Sequence, residues 1–460
     1  MSPAQKRQAP DIDSVAVIGG GPCGLAAARY LLAEKKFSKV KVFEQHNTVG
    51  GVWAFTADAD TTGPWVSPVY DLLETNIPHT LMNYTDLNFP ENTALFPHHE
   101  VVKRYLEVYA EPLSNVISLS TRVVSVRKIE REGRDVWEVQ ARLIKSEEPS
   151  TSYFDAIVVA NGHYSDTFIP SISGLDGFVK TYPGLVSHSK KYRRPEQFKN
   201  KKVIVVGNSA SGIDISAQIA TTAKLPVMVS EKERPKPTSE EPVPSWASMV
   251  PEIVEFVPKD RSVRFANGAT ETHIDAVVFC TGYVYSFPFL EDLPSPVVTD
   301  GACVHNLYQH VFYINDPTLA FLGIPQRIVP FPFAEGQAAW VSRVWAGRLT
   351  LPPSSEMRDW EAALAKSKGS AAVHTMGPLE DAEYINKMHQ LSLDSETDET
   401  LENGGLGKIP PFWDDEKRWL RLQLPLVKAA SRRMGNKRHK LKDLAALGFV
   451  YPGVGGQSGS

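Results

Sequence analysis

Two glycine strings in this sequence have the spacing that lets a backbone close on a pyrophosphate. The first, Gly19, Gly21 and Gly24, reads GxGxxG between the β-branched run SVAVI and the helix-favouring stretch LAAARYLLAEKK. In such a string the first glycine permits a tight turn, the second lets the backbone approach the phosphates, and the third lets helix and strand pack closely. The helix that follows offers unpaired N–H groups to the anion. Glu44 ends the next apolar run, VKVFE, about 20 residues past the last glycine, where a carboxylate accepts ribose hydroxyls. Its negative charge repels a 2′-phosphate, so this site suits FAD or NAD.

The second string, Gly207, Ser209 and Gly212, follows KVIVV and precedes IDISAQIATTAK. Ser209 replaces the middle glycine, and Ser209 with Ser211 adds hydroxyl donors. The strand after it, PVMVS, ends in Ser230, with Lys232 and Arg234 close behind. Cationic side chains there favour a 2′-phosphate through charge-assisted hydrogen bonds. Glu231 and Glu233 dilute that field, and NADPH is the expected ligand. Two dinucleotide sites of opposite preference in one chain imply electron transfer from one cofactor to the other. The paired cysteines of a disulfide reductase are absent: Cys23, Cys280 and Cys303 are widely spaced, with no CxxC. A flavoprotein that passes electrons to oxygen or another acceptor remains.

The elements that must position these residues are two strand–turn–helix units. Between them, residues 123–129 and 135–143 alternate as antiparallel strands, and AIVVANGHY resembles DAVVFCTGY, an apolar strand running into a glycine turn. The expected fold class is α/β with two Rossmann-type domains, the NADPH domain inserted into the FAD domain. The expected boundaries are 1–173 for the first part of the FAD domain, 174–295 for the NADPH domain, and 296–460 for the second part with a C-terminal helical extension. The basic segment 417–442 is interrupted by Pro425 and reads as a solvated helix pair, and the final GGQSGS reads as a frayed tail. Proline-rich stretches at 236–244 and 330–332 read as surface loops, or else as the border of an access path.

Composition excludes other classes. The 460 residues are 42% hydrophobic and 22% charged, which describes a globular protein of more than one domain. A net charge of −4 gives no overall attraction to nucleic acid. No window approaches the roughly 20 apolar residues of a membrane span, the start lacks the apolar centre of a secretory signal, and no residue set has metal-ligand spacing. A cytoplasmic location and a possible homodimer are expected.

The stretch YPGLVSHSKKYRRPEQFKNKKVIVVGNSASG resembles the fingerprint of flavin-containing monooxygenases, FxGxxxHxxx(Y/F). Gly184, His188 and Tyr192 match it, and Tyr182 stands for the leading phenylalanine. The family's ATGY-type strand end appears as Cys280, Thr281, Gly282 and Tyr283. GGVW at Gly50 to Trp53, ETN at Glu74 to Asn76, and NLYQHVFYINDPTLAFLG resemble further family segments. Soluble fungal and yeast members are the nearest in pattern, and the segment after Pro353 matches less. The resemblance implies that NADPH reduces FAD, that NADP stays bound, and that reduced flavin with O2 forms a C4a-hydroperoxyflavin that oxygenates a small nucleophilic nitrogen or sulfur, such as that of an alkaloid or other secondary metabolite. On that pattern Asn76 is the catalytic residue, its amide donating to the peroxide and accepting from the nucleotide. Pro22, Cys23, Gly51, Val52, Trp53, Thr75, Val123, Asp214, Thr281 and Gln337 join the cofactor-binding residues. His188 is expected to make a structural hydrogen bond, and Cys23 and Cys280 to be buried apolar-type residues. A Baeyer–Villiger enzyme would end the fingerprint in tryptophan then proline or aspartate, where this chain has Tyr192 and Arg193. A catalytically idle redox sensor and an oxidase leaking hydrogen peroxide also stay open at the level of sequence.

Overall fold

The strands that lead into the two glycine strings, SVAVI and KVIVV, are apolar on both faces, and apolar strands of this kind belong in parallel sheets covered on both faces. A computed structural model describes residues 11–57, 66–146, 148–232, 243–290 and 292–453. The chain divides into two compact units, one of Met1–Ala54, Glu74–His163 and Tyr285–Ser460, the other of Phe55–Leu73 and Tyr164–Val284. Arg234, Glu233, most of the 236–244 loop and the terminal GGQSGS lie outside the described residues.

In the first unit a seven-stranded sheet runs in the order Leu307–Tyr308, Phe312–Tyr313, Leu319–Phe321, Ala156–Val159, Ser14–Ile18, Lys39–Phe43, Ile117–Ser118. Ser14–Ile18 pairs in parallel with Lys39–Phe43 on one side and Ala156–Val159 on the other. Alternate residues of a strand face opposite ways. Val15 and Val17 accordingly pack under the helices Pro22–Ala33 and Pro330–Trp345. Ala16 and Ile18 pack against Val126, Trp137 and Phe154 of an antiparallel sheet built from Thr121–Arg131, Arg134–Leu143 and Ser150–Phe154.

The second unit holds a five-stranded sheet in the order Ala247–Pro251, Lys224–Glu231, Lys202–Val206, Ala276–Phe279, Val186–His188, parallel throughout. Val203 and Val205 pack with Ile215 and Ile219 of the helix Ala210–Ile219. On the opposite face Ile204 meets Phe178, Phe256 and Val263. Both units are of the Rossmann type.

Two local expectations change. The 330–332 stretch opens the helix Pro330–Trp345, with proline at its start and Phe331 buried. Proline suits a first helical turn, where the missing N–H has no partner to lose. The basic C-terminal segment is not a broken pair of solvated helices: Asp415–Arg433 is a single helix through Pro425, started by Asp414 accepting from the Lys417 N–H. Leu420, Leu424 and Val427 bury its apolar side, and Lys428 goes in with them. Among the described residues, no helix is long and apolar enough to cross a membrane.

Candidate functional site

The first glycine turn is built by backbone approaches that a side chain would block. A Cβ on Gly24 would lie 1.8 Å from the Gly19 carbonyl oxygen, so helix and strand can close only on glycine. The Gly19 N–H donates to the Phe43 carbonyl at 2.8 Å, and the Gly20 N–H donates to Glu44 Oε2 at 2.7 Å. Glu44 is buried, and its Oε1 accepts from the His46 N–H and faces His46 Nδ1, both at 2.7 Å. The helix Pro22–Ala33 begins at Gly21 with no side-chain cap, which leaves first-turn N–H groups for an anion. These features fit a dinucleotide pyrophosphate and its ribose.

The predicted cofactor-binding residues of this unit divide around the turn. Gly51, Val52 and Trp53 form a single 3-10 turn drawn onto it: Gly50 N–H donates to Gly20 at 2.9 Å, and Gly51 approaches Gly21 backbone to backbone. Pro22 and Cys23 start the helix, and burial pushes the Cys23 thiol up to about 12, which keeps it protonated. Gln337 is fully buried, accepts from the Gly323 N–H at 2.9 Å and lies 3.4 Å from the Tyr384 hydroxyl. Gly323 in turn packs on Cys23, so Gln337 acts on the helix start through that glycine. Val123 sits in the antiparallel sheet opposite Ala141, at a register shift, with its side chain in the core.

Thr75 and Asn76 lie on a separate turn of the same unit. Thr75 is buried; its N–H donates to Pro97 at 3.0 Å and its hydroxyl donates to Ile77 at 2.8 Å, bridging Asn76. The Thr75 carbonyl accepts from Lys428 Nζ at 2.7 Å. Asn76 itself is exposed, and its amide has no hydrogen-bond partner among the described residues. A turn asparagine usually satisfies its own backbone. This one leaves a donor and an acceptor for something else.

The second glycine turn repeats the first. A Cβ on Gly212 would lie 1.9 Å from the Gly207 carbonyl oxygen, and the Gly207 N–H donates to Ser230 at 2.8 Å, as Gly19 does to Phe43. Ser209 caps nothing with its side chain, and Ser209 and Ser211 are exposed at the start of the helix Ala210–Ile219. The residues meant for the nucleotide are partly engaged. The Ser230 hydroxyl donates to Pro251 at 2.9 Å, Asp214 accepts from the Tyr70 hydroxyl and from Gln218, and the Thr281 hydroxyl donates to Phe168. Lys232 is exposed, its ammonium 3.9 Å from Glu252. His188 accepts from the Lys190 N–H at 3.1 Å through Nδ1 and places Nε2 3.1 Å from the Gly282 carbonyl. Burial pushes that ring down to about 4, so it is neutral and structural. Cys280 is buried, its thiol pushed up to about 12.

Sequence reasoning missed two features. Glu231, one residue past Ser230, stands where Glu44 stands one residue past Phe43; the register of the glycine N–H bonds reveals this, whereas counting along the chain puts a cation at the acidic position. The other is the convergence of two C-terminal cations, Lys428 and Arg438, and the His439 ring on Glu74. The basic run was visible, but its target was not.

The flavin-binding monooxygenase-like family model matches residues 12–235 and 244–401. The chain is 38% identical over 396 residues to the flavin-containing monooxygenase FMO GS-OX-like 7 of Arabidopsis thaliana, covering 81% of this chain and 82% of that one. Among solved structures, S-allyl-L-cysteine S-oxygenase from Allium sativum superposes with a TM-score of 0.77 at 30% identity, over 94% of this chain and 96% of that one. Cyclohexanone monooxygenase shares the fold at 15% identity and a TM-score of 0.59, over 83% of this chain and 98% of that one. With two pyrophosphate cradles in one chain and a family match across most of its length, the protein belongs to the flavin-containing monooxygenases and is an oxidoreductase using FAD and NADPH.

Proposed function

We propose that the protein oxygenates a small molecule at a soft nucleophilic atom, thioether sulfur ahead of amine nitrogen. For a sulfide the balance is R2S + O2 + NADPH + H+ giving R2SO + NADP+ + H2O. The observation that carries this reading is the Asn76 amide, without a partner among the described residues, on a turn whose backbone is tied on both sides. Sulfur leads because the Allium sativum S-oxygenase is 30% identical over nearly the whole chain, whereas the ketone-oxygenating neighbour is alike in fold alone.

FAD, when bound, would supply the redox chemistry, hydride acceptance from NADPH and activation of oxygen. The chain's own tasks are binding, orientation and hydrogen bonding. The turn Gly19–Gly24 and the helix behind it would hold the flavin pyrophosphate, and Glu44 would accept the adenosine ribose hydroxyls, with Gly51 to Trp53 drawn onto the turn. Ser209, Ser211 and the helix after them would hold the pyrophosphate of NADPH, and Lys232 would pair with the 2′-phosphate. Asn76 donates through its NH2 and accepts through its carbonyl, two roles that a carboxylate cannot combine. No nucleophilic side chain is called for, in keeping with the protonated Cys23 and Cys280 thiols. We place the enzyme in the cytoplasm, where NADPH is at hand and three free thiols persist.

The test is product analysis with NADPH and O2 on three probes: S-allyl-L-cysteine, a tertiary amine and cyclohexanone. Sulfoxide formed fastest, N-oxide next and no lactone is the expected outcome. Lactone as the main product would overturn the assignment.

A further inference from the structure

Lys428, Arg438 and His439 lie beyond residue 401, where the family match ends, yet they converge on the carboxylate two residues before Asn76. Arg438 Nε donates to Glu74 Oε2 at 2.9 Å, His439 Nδ1 lies 2.6 Å from Oε1, and Lys428 Nζ is 3.9 Å from Oε2. Lys428 is a buried cation whose ammonium also donates to the Thr75 carbonyl at 2.7 Å and sits 4.2 Å over the Phe96 ring. The Glu74 side chain is only 10% exposed. A carboxylate that deep is costly unless it is paired, and removing one partner leaves the other charge uncompensated.

The arrangement reaches past charge neutralisation. Glu74 bridges to His98, the Thr75 N–H is held by Pro97, and the Leu95 N–H donates to the Leu441 carbonyl at 2.6 Å, so the C-terminal segment is stitched to both strands of the turn. Thr75 is therefore held at its N–H by the chain at Pro97, at its carbonyl by Lys428, and through its hydroxyl to Ile77. The Asn76 side chain, between these tethers, has no hydrogen-bond partner among the described residues. Functional amides work best when the backbone under them is fixed by packing and hydrogen bonds behind them.

We propose that Lys428, Arg438 and His439 are positioning residues for Asn76: the C-terminal helix and the turn after it clamp Glu74 and the Thr75 carbonyl, and so fix where the Asn76 amide points. The inference rests on the reading of Asn76 given above. It assigns the basic C-terminal segment a part in the efficiency of oxygen transfer.

The experiment compares Lys428→Met, Lys428→Arg, Arg438→Gln and Asn76→Ala as full-length flavoproteins, measuring flavin content, the anaerobic rate of flavin reduction by NADPH, and hydrogen peroxide released per NADPH against sulfoxide formed. The expected result is that Lys428→Met and Arg438→Gln keep their flavin and reduce it within about twofold of the parent, while peroxide per NADPH rises roughly fivefold. Lys428→Arg should recover most of the coupling, because it keeps a cation that can reach the Thr75 carbonyl. Arg438, more exposed than Lys428, keeps the test open should Lys428→Met fail to fold. Unchanged sulfoxide per NADPH in Arg438→Gln, with only the melting temperature lowered, would overturn the clamp while leaving Asn76 its role. Parent-like coupling in Asn76→Ala would remove the reading of Asn76 itself, and the clamp with it.

Discussion

The Asn208 side-chain amide donates to Glu231 at 3.1 Å, at the point of the second glycine turn where the Gly20 N–H donates to Glu44 in the first. Both carboxylates follow the strand residue whose carbonyl accepts from the leading glycine, Ser230 in one case and Phe43 in the other. A carboxylate so placed accepts ribose hydroxyls and repels a 2′-phosphate, while Lys232 attracts one. Glu231→Ser should therefore shift the ratio of kcat/KM for NADPH over NADH upward about tenfold, equivalent to about 1.4 kcal/mol. Lys232→Ala should lower kcat/KM for NADPH and leave NADH nearly unchanged. Steady-state rates with both nucleotides check the pair, and a ratio indifferent to Glu231 would refute the equivalence.

The repeated glycine geometry separates the two cofactors by mutation. A methyl on Gly24 must displace the Gly19 carbonyl, and one on Gly212 must displace the Gly207 carbonyl, at about 3 kcal/mol or more each. Gly24→Ala should purify without yellow colour. Gly212→Ala should keep bound flavin yet reduce it with NADPH at least about a hundredfold more slowly at a fixed subsaturating concentration, about 2.7 kcal/mol. Flavin absorbance and anaerobic reduction traces distinguish the two outcomes.

Glu335 is fully buried in the helix Pro330–Trp345, and burial pushes its carboxyl up to about 7 despite two bonds from Thr85, at 2.8 and 2.9 Å. A raised carboxyl binds its proton more tightly in the folded state than in the unfolded one. Its stabilising contribution is present below pH 4.5 and lost as the pH rises through 7, about 3 kcal/mol in all. Glu335→Gln should flatten the decline in melting temperature between about pH 5 and 8, which thermal unfolding across that range measures.

His310 and His374 act in the opposite direction. Their Nδ1 atoms are 3.0 Å apart, so one ring must donate and the other accept, and the Val304 N–H donates to His374 Nε2 at 3.0 Å. Burial pushes His310 down to about 3 and His374 to about 4. A depressed folded value means stability that is present above pH 6.5 and lost as the pH falls through 4 and then 3. At about pH 4.5 the loss is about 3 kcal/mol per ring. His310→Asn should move the midpoint of acid unfolding to lower pH, and an unmoved midpoint would contradict the neutral pair.

The parts of the fold legible in the sequence followed from short-range rules. Glycine spacing and apolar strands defined both Rossmann-type units, and the acidic end of VKVFE marked the first, because a βαβ unit is determined by residues close together in the chain. Asn76 was reachable through the resemblance carried by ETN. The clamp on Glu74 was not, because residues 74 and 438 are 364 positions apart and nothing in a basic run specifies its carboxylate. The Pro425 expectation failed for a related reason: local propensity argued for a break, and burial of Leu420, Leu424 and Val427 carried the helix through it. Gln337 was expected among the cofactor-binding residues, and the bonds it makes, to Gly323 and Tyr384, join residues 14 and 47 positions away.

Turnover with isotopically labelled oxygen gas, NADPH and S-allyl-L-cysteine probes oxygen transfer itself. The expected result is one labelled oxygen atom in each sulfoxide, the other in water, and one NADPH consumed per product. Unlabelled sulfoxide, or NADPH consumed with all the oxygen recovered as hydrogen peroxide, would contradict a flavin-borne transfer to sulfur.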